Sequence, residues 1–220
     1  MQLSHLHDWN LTPQAAIALQ QQLAAQIVTS PPLALERVQL VAGVDVSVKD
    51  NVSRAAVVVV RFPSLEQVET VTAAQPTPFP YIPGLLSFRE GPVLETAFAR
   101  LQTEPDAFLF DGMGIMHPRR LGIAAHLGLW LNRPTVGCGK THLVGAYDPP
   151  AAARGARSPV YYRGEQVGVV LRTRDSVKPL YISPGHRIDL ESAVTLVLAC
   201  APRCRLPEPI RLAHRAASSP

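Results

Sequence analysis

The hydrophobic pattern changes its period part-way along the chain, which separates a β-rich front from an alternating middle. Residues 12–28 are rich in Ala, Gln and Leu, open on Thr12 with Pro13 in the first turn, and stop before Pro31-Pro32, so they predict a helix. Residues 1–35 as a whole are expected to be a peripheral cover built on it. Residues 40–48, 55–62 and 67–73 are three successive β-rich runs joined by short polar turns, the pattern of an antiparallel meander. From there helix and strand alternate in the α/β manner: a helix over 87–101, a strand over 107–111, a helix over 121–131 and a strand over 134–137. Residues 160–162 and 167–172 predict a hairpin, and 192–200 a last buried helix. The tail after Pro202, residues 205–220 above all, is rich in Pro, Arg, Ala and Ser and is expected to be partly disordered.

At 220 residues the chain fits one domain, since roughly 100–200 residues per domain is usual. Its 21 prolines against 14 glycines imply many stiff loops. The net charge of +4 is mostly arginine, because Lys49, Lys140 and Lys178 are the only lysines among 21 basic residues. Arginine favours two-pronged contact with phosphate and carboxylate. The excess is modest, which suits a localised basic surface rather than a wholly cationic protein. Three cysteines without CxxC spacing exclude a disulfide framework and point to a reducing, cytoplasmic setting. Cys200 and Cys204 share a helix face but read as buried small apolar residues rather than metal ligands. No stretch nears the roughly eighteen apolar residues of a membrane span, and residues 1–10 lack a leader pattern, so no membrane partner is expected. The chain is expected to act as a monomer.

Chemistry-bearing residues concentrate between Pro80 and Gly145. Pro80-Tyr81-Ile82-Pro83-Gly84 brackets a Tyr-Ile pair with prolines, which fix the backbone, oppose helix formation and present the ring of Tyr81. The apolar run at 108–110 reads as a buried strand with Asp111 at its C-terminal end, followed by Gly112 and then His117-Pro118-Arg119-Arg120. Asp45 interrupts another apolar strand, and a buried carboxylate must meet a cation, a donor network or water. Alone it fits a hydrogen-bonded edge residue as well as a ligand; with Asp111 it forms a pair of hard oxygen donors suited to a shared divalent metal.

The ordered set Gly43-Val44-Asp45-Val46-Ser47, Pro80 to Gly84 with Leu86-Ser87-Phe88-Arg89-Glu90, Asp111-Gly112 with His117 to Gly122, and Gly185-His186-Arg187 resembles the endonuclease V family, the deoxyinosine 3′ endonucleases of DNA repair. The resemblance runs from about Val38 to Pro209. It implies a ribonuclease H-like α/β fold with a mixed central sheet flanked by helices, a Mg²⁺ cofactor for which Mn²⁺ can substitute, and hydrolysis of the second phosphodiester bond 3′ to a deaminated adenine. The implied partner is deoxyinosine-containing DNA, with inosine-containing RNA the alternative substrate and a lesion-binding protein without catalysis the more distant one.

Carried over by residue, the resemblance gives Asp45, Asp111 and Glu90 as metal-binding acids and His186 and Lys140 as further catalytic groups. Tyr81, Pro83, Gly84, Gly112, His117, Arg119 and Arg120 become DNA or lesion contacts, with Tyr81 the wedge that fills the gap left by an extruded base. Bland alternatives stand beside several of these. Ser87 and Glu90 have capping-box spacing. Tyr81 could pack on its own prolines, Lys140 could sit in a solvated turn, and Arg119 and Arg120 could decorate a helix N-terminus. Thr141, Met113 and Met116 depart from the family's usual residues.

Overall fold

Residues 1–219 are described by a computed structural model. The β-branched runs pair in sequence order: β1 (Leu40–Lys49), β2 (Val52–Arg61) and β3 (Gln67–Pro76) form the antiparallel meander. β4 (Ala107–Phe110) and β5 (Thr135–Gly139) add parallel to β1, and β6 (Arg157–Tyr162), β7 (Glu165–Leu171) and β8 (Leu180–His186) complete one eight-stranded sheet in the order β3-β2-β1-β4-β5-β8-β7-β6. In the first five of these positions β2 alone runs against the rest, which is the ribonuclease H-like architecture that the sequence predicts.

Helices cover both faces, so the central strands are buried on both sides and read as nearly unbroken apolar runs. Ala42, Val44, Val57, Val59, Phe108 and Phe110 pack under α2 (Leu86–Ala99) and α3 (Ile123–Leu131). Val41, Val58, Val60, Leu109 and Val136 pack under α4 (Leu190–Cys200) and α5 (Glu208–Ser218). α1 (Pro13–Ala24) is capped by Thr12, whose hydroxyl accepts the Ala15 N–H at 3.2 Å, and it lies on α3 through Leu23, Leu121, Ala125 and Leu129. Among the described residues no helix is long and apolar enough to cross a membrane.

Two segments differ from the sequence reading. β8 has no counterpart among the expected strands, since Pro184 and Gly185 interrupt its apolar run; the strand tolerates Pro184 because its pairing with β5 shifts register between Thr135 and Val136. The tail expected to be partly disordered folds as α5, apart from its last residue, which lies outside the described residues. Its overall composition obscures a helical spacing: Ile210, Ala213 and Ala217 are buried on one face, and Glu208 bonds Arg211 one turn on.

α5 reaches the sheet because β1 carries a glycine beneath it. A Cβ built on Gly43 would lie 2.0 Å from the carbonyl carbon of Pro209, so helix start and strand backbone are in direct contact. Gly43→Ala is therefore expected to push α5 off β1 at a cost of ~1–3 kcal/mol, as for an overpacked core. At ~2–4 °C per kcal/mol for a chain of this size, thermal denaturation should show a Tm lowered by roughly 2–12 °C. An unchanged Tm would refute the contact.

Candidate active site

The register of β1 and β4 creates the centre of the site. The two strands are parallel, with Val44 opposite Phe110, so the next residues, Asp45 and Asp111, stand side by side, and the Asp111 N–H donates to Val44 O at 3.1 Å. Side chains alternate across a sheet. Val44 and Phe110 point into the α2/α3 layer, which turns both carboxylates toward α5. There His214, one turn before the end of α5, places Nδ1 2.7 Å from Asp45 Oδ2. Lys140, just past β5, forms an ion pair with Asp111. One ligand atom each from Asp45, Asp111 and His214 lies within 4.8 Å of the other two, so these residues could share a metal ion.

Glu90 approaches from the opposite layer on α2. The capping-box alternative does not hold: the helix begins at Leu86, no side chain caps it, and Ser87 Oγ bonds His126 Nδ1 at 2.8 Å. Burial, then the charges of Asp45 and Asp111, raise the Glu90 carboxyl to about 8. Burial, then Asp111, raise Asp45 to about 6 against the opposing pull of its bond to His214. Three acids and one lysine at the end of the sheet form a cluster whose ionised state lacks positive charge. Hard carboxylate oxygens with an imidazole suit a divalent cation, so the residues present fit a metal. Cys138, fully buried on β5, adds no thiolate, because burial and then Asp111 hold its thiol protonated far above its ordinary range.

A cleft of about 380 Å³ runs from Asp111, Gly112 and Lys140 to the Tyr81 loop. The loop closes with the Leu85 N–H donating to Ile82 O at 2.9 Å, Pro83 second in the turn and Gly84 third at φ +80°, as a type II turn requires. Tyr81 is 70% exposed, so it does not pack on its own prolines. His117 is buried and donates through Nε2 to Gly84 O at 3.0 Å while Nδ1 accepts the Arg119 N–H at 3.2 Å. Burial, then Arg119, lower its pKa to about 4, which keeps the ring neutral.

Several expected residues stand elsewhere or bond differently. His186 faces Thr135 at the start of β5, roughly 13 Å down the strand from Gly139 at ~3.3 Å per residue. Its Nδ1 accepts the Val28 N–H at 3.3 Å and its own N–H donates to Thr135 Oγ1 at 2.9 Å. The structure thus does not bring His186 to the acids; the histidine beside Asp45 is His214, in the stretch read as disordered. Arg120 bonds Tyr162 O at 2.8 Å and Glu165 Oε2 at 2.7 Å, tying the β6–β7 hairpin rather than a helix end. Arg119 donates through Nη2 to Gly84 O at 2.8 Å. Sequence reading also missed Gln20, a buried polar residue of the supposed cover helix that reaches Gly84.

The endonuclease V family model matches residues 21–215. Endonuclease V of Nostoc punctiforme is 51% identical over 215 residues, 97% of each chain. Endonuclease V of Bacillus subtilis superposes with a TM-score of 0.93 at 32% identity, covering 99% of this chain and 95% of that one. Endonuclease V of Ciona intestinalis, solved with a 24-mer DNA containing an inosine followed by a ribo-adenosine, superposes with a TM-score of 0.81 at 27% identity over 91% and 93% of the two chains. With the family model covering both acids of the sheet, Glu90 and His214, the chain belongs to the endonuclease V family of nucleases.

Proposed function

We propose that this nuclease recognises deoxyinosine in DNA and hydrolyses the second phosphodiester bond on its 3′ side, leaving 3′-hydroxyl and 5′-phosphate ends. One observation carries the reading: the cleft beside Tyr81 is continuous with Asp111 and Lys140. A pocket of that volume suits a single base taken out of the stack, and extrusion leaves a gap that an exposed aromatic ring can fill. A base held at the loop end with the acids set to one side accounts for a cut displaced from the lesion. In the Ciona relative the inosine is followed by a ribonucleotide, so inosine-containing RNA is the second reading, separated from the first by comparing cleavage of matched DNA and RNA strands. Free thiols at Cys138, Cys200 and Cys204 suit a reducing, cytoplasmic site of action.

Asp45, Asp111 and His214 would hold the cation, with Mg²⁺ the proposed ion and Mn²⁺ able to replace it. A divalent ion there polarises the phosphate and lowers the pKa of a nearby water. Glu90, on the α2 side of the sheet, would orient the attacking water and, once a cation beside the acids draws its raised pKa down, take the proton on a carboxylate oxygen. The bond between Asp45 and His214 Nδ1 holds the imidazole beside the two carboxylates, where the ion would sit. Lys140, held at the cleft by Asp111, meets the charge that develops on the phosphate oxygens.

Asp45→Asn and Asp111→Asn are expected to lower nicking of a labelled inosine duplex by more than ~100-fold, the upper end of what even supporting partners of a metal cost. Binding should persist, and excess EDTA should abolish wild-type cutting. Wild-type turnover by either variant overturns the assignment. Tyr81→Ala should lose stacking worth ~1–3 kcal/mol, seen as a lower ratio of inosine to undamaged DNA affinity at unchanged cut position. A lowered Tm with an unchanged ratio contradicts the wedge role.

Stability should also respond to pH without metal. A carboxyl whose pKa folding raises contributes stability that is present below the ordinary carboxylate range and lost as pH climbs through the folded value. With Asp45 at about 6 and Glu90 at about 8, the Tm in EDTA should fall as pH rises through those values. Glu90→Gln should flatten the alkaline part of that fall, and Mg²⁺ should raise the Tm most at the alkaline end. A Tm profile identical in wild type and Glu90→Gln argues against the assigned titration.

A further inference from the structure

The carbonyl of Gly84 is the meeting point of three chain segments. Arg119 Nη2 donates to it at 2.8 Å, His117 Nε2 at 3.0 Å and Gln20 Nε2 at 3.0 Å. Gln20 comes from α1, His117 and Arg119 from the loop between β4 and α3, and Gly84 from the Tyr81 loop. The donors also bond one another. Arg119 Nε donates to Gln20 Oε1 at 2.5 Å, and Gln20 Nε2 donates a second time, to Leu121 O at 3.2 Å. Because guanidinium can only donate, the amide oxygen of Gln20 must face Arg119, and its nitrogen must face the two carbonyls. The neutral His117 tautomer is fixed in the same way, with its proton on Nε2. Every polar atom of the Gln20 side chain is therefore committed, and the residue is 1% exposed.

Building a Cβ on Gly84 would bring it within 2.8 Å of Arg119 Nη2, which shows how closely the guanidinium sits over the turn. Tyr81 has no comparable anchor of its own, since its ring is largely in solvent. The position of the ring thus depends on the turn three residues later, and that turn is held from outside by Gln20 and Arg119.

We propose that Gln20 and Arg119 are positioning residues for lesion selectivity, pinning the Tyr81 loop through the Gly84 carbonyl, and that Arg119 is not a phosphate ligand. The role rests on the reading of Tyr81 as the wedge. Holding the loop in one geometry before DNA arrives removes an ordering cost from binding, and that saving is specific to substrates that use the wedge. A buried glutamine cannot touch phosphate, so its effect passes through the Gly84 carbonyl or through Arg119, and Arg119→Lys separates these two routes.

The test uses Gln20→Met, which keeps the side-chain length without its hydrogen bonds, and Arg119→Lys, which keeps the charge without the fork that spans Gln20 and Gly84 at once. Affinities for inosine and undamaged duplexes are measured with Ca²⁺ over a range of salt, together with KM and kcat in Mg²⁺. Both variants are expected to lower the inosine-to-undamaged ratio about tenfold, the scale of one lost buried hydrogen bond. The salt slope should stay the same, and the loss should fall on KM rather than kcat. A phosphate-binding Arg119 would give the opposite result, because lysine would serve as well and the ratio would survive in Arg119→Lys; that outcome overturns the proposal, as does a preserved ratio in Gln20→Met.

A second readout needs no DNA. Loop opening exposes the backbone to proteolysis. Chymotrypsin should cut after Tyr81 several-fold faster in both folded variants than in wild type. Equal cutting rates refute the clamp even if the function were different, whereas a wild type that fails to discriminate inosine refutes the functional reading and leaves the proteolysis result standing.

Discussion

Two like charges held side by side set the terms for the rest of this molecule. The parallel pairing of β1 with β4 fixes Asp45 next to Asp111, and no side-chain rotation can part them far because both backbones are locked in the sheet. Burial, and then the charge of Asp111, raise the pKa of Asp45, while burial and then both acids raise that of Glu90. The surroundings respond with opposite or hydrogen-bonding groups from separate elements, Lys140 beyond β5 and His214 on α5. The crowded acids sit at the end of strands that are packed on both faces. Such crowding is a common mark of a functional site.

Much of this arrangement is legible in the sequence because it depends on short-range pattern. The meander shows as β-branched runs, Asp45 as a carboxylate inside one of them, and Asp111 as the residue after a buried tetrapeptide. The Tyr81 loop is written almost completely in its residues, since Pro83 and Gly84 each satisfy one position of the turn. What escapes is what only tertiary contact creates. His186 and His214 are both isolated histidines in the sequence, and nothing local says which end of the sheet each will reach. The answer lies in the antiparallel run of β8, hidden by Pro184, and in α5, hidden by a tail composition that suggested disorder. The same holds for Gln20, whose burial depends on α1 lying over the loop that leads from β4.

The helices that carry site residues are themselves held by distant chain. α2 bears Glu90, and the N-terminal segment packs on it: Trp9 stacks on Trp130 of α3 at 5.0 Å between centroids and donates to Glu95 of α2 at 2.8 Å. Gly91, next to Glu90, leaves the space that the Trp9 ring occupies, with a Cβ there falling 2.4 Å from the indole. The residues before α1 thus form part of the wall against which the third acid is set. α5 is seated through the bare backbone of Gly43 in the same manner, so each of the two helices that bring a site residue meets its support at a glycine.

Cys138 bears on which donors the acids can offer an ion. It lies on β5 two residues before Lys140, close enough to Asp111 to feel its charge, yet it is fully buried and stands outside the group formed by Asp45, Asp111 and His214. That group is oxygen and imidazole alone, a donor set that suits hard and borderline divalent ions better than soft ones. The packing that takes the sulfur into the core thus leaves the choice of ion to the carboxylates and the ring.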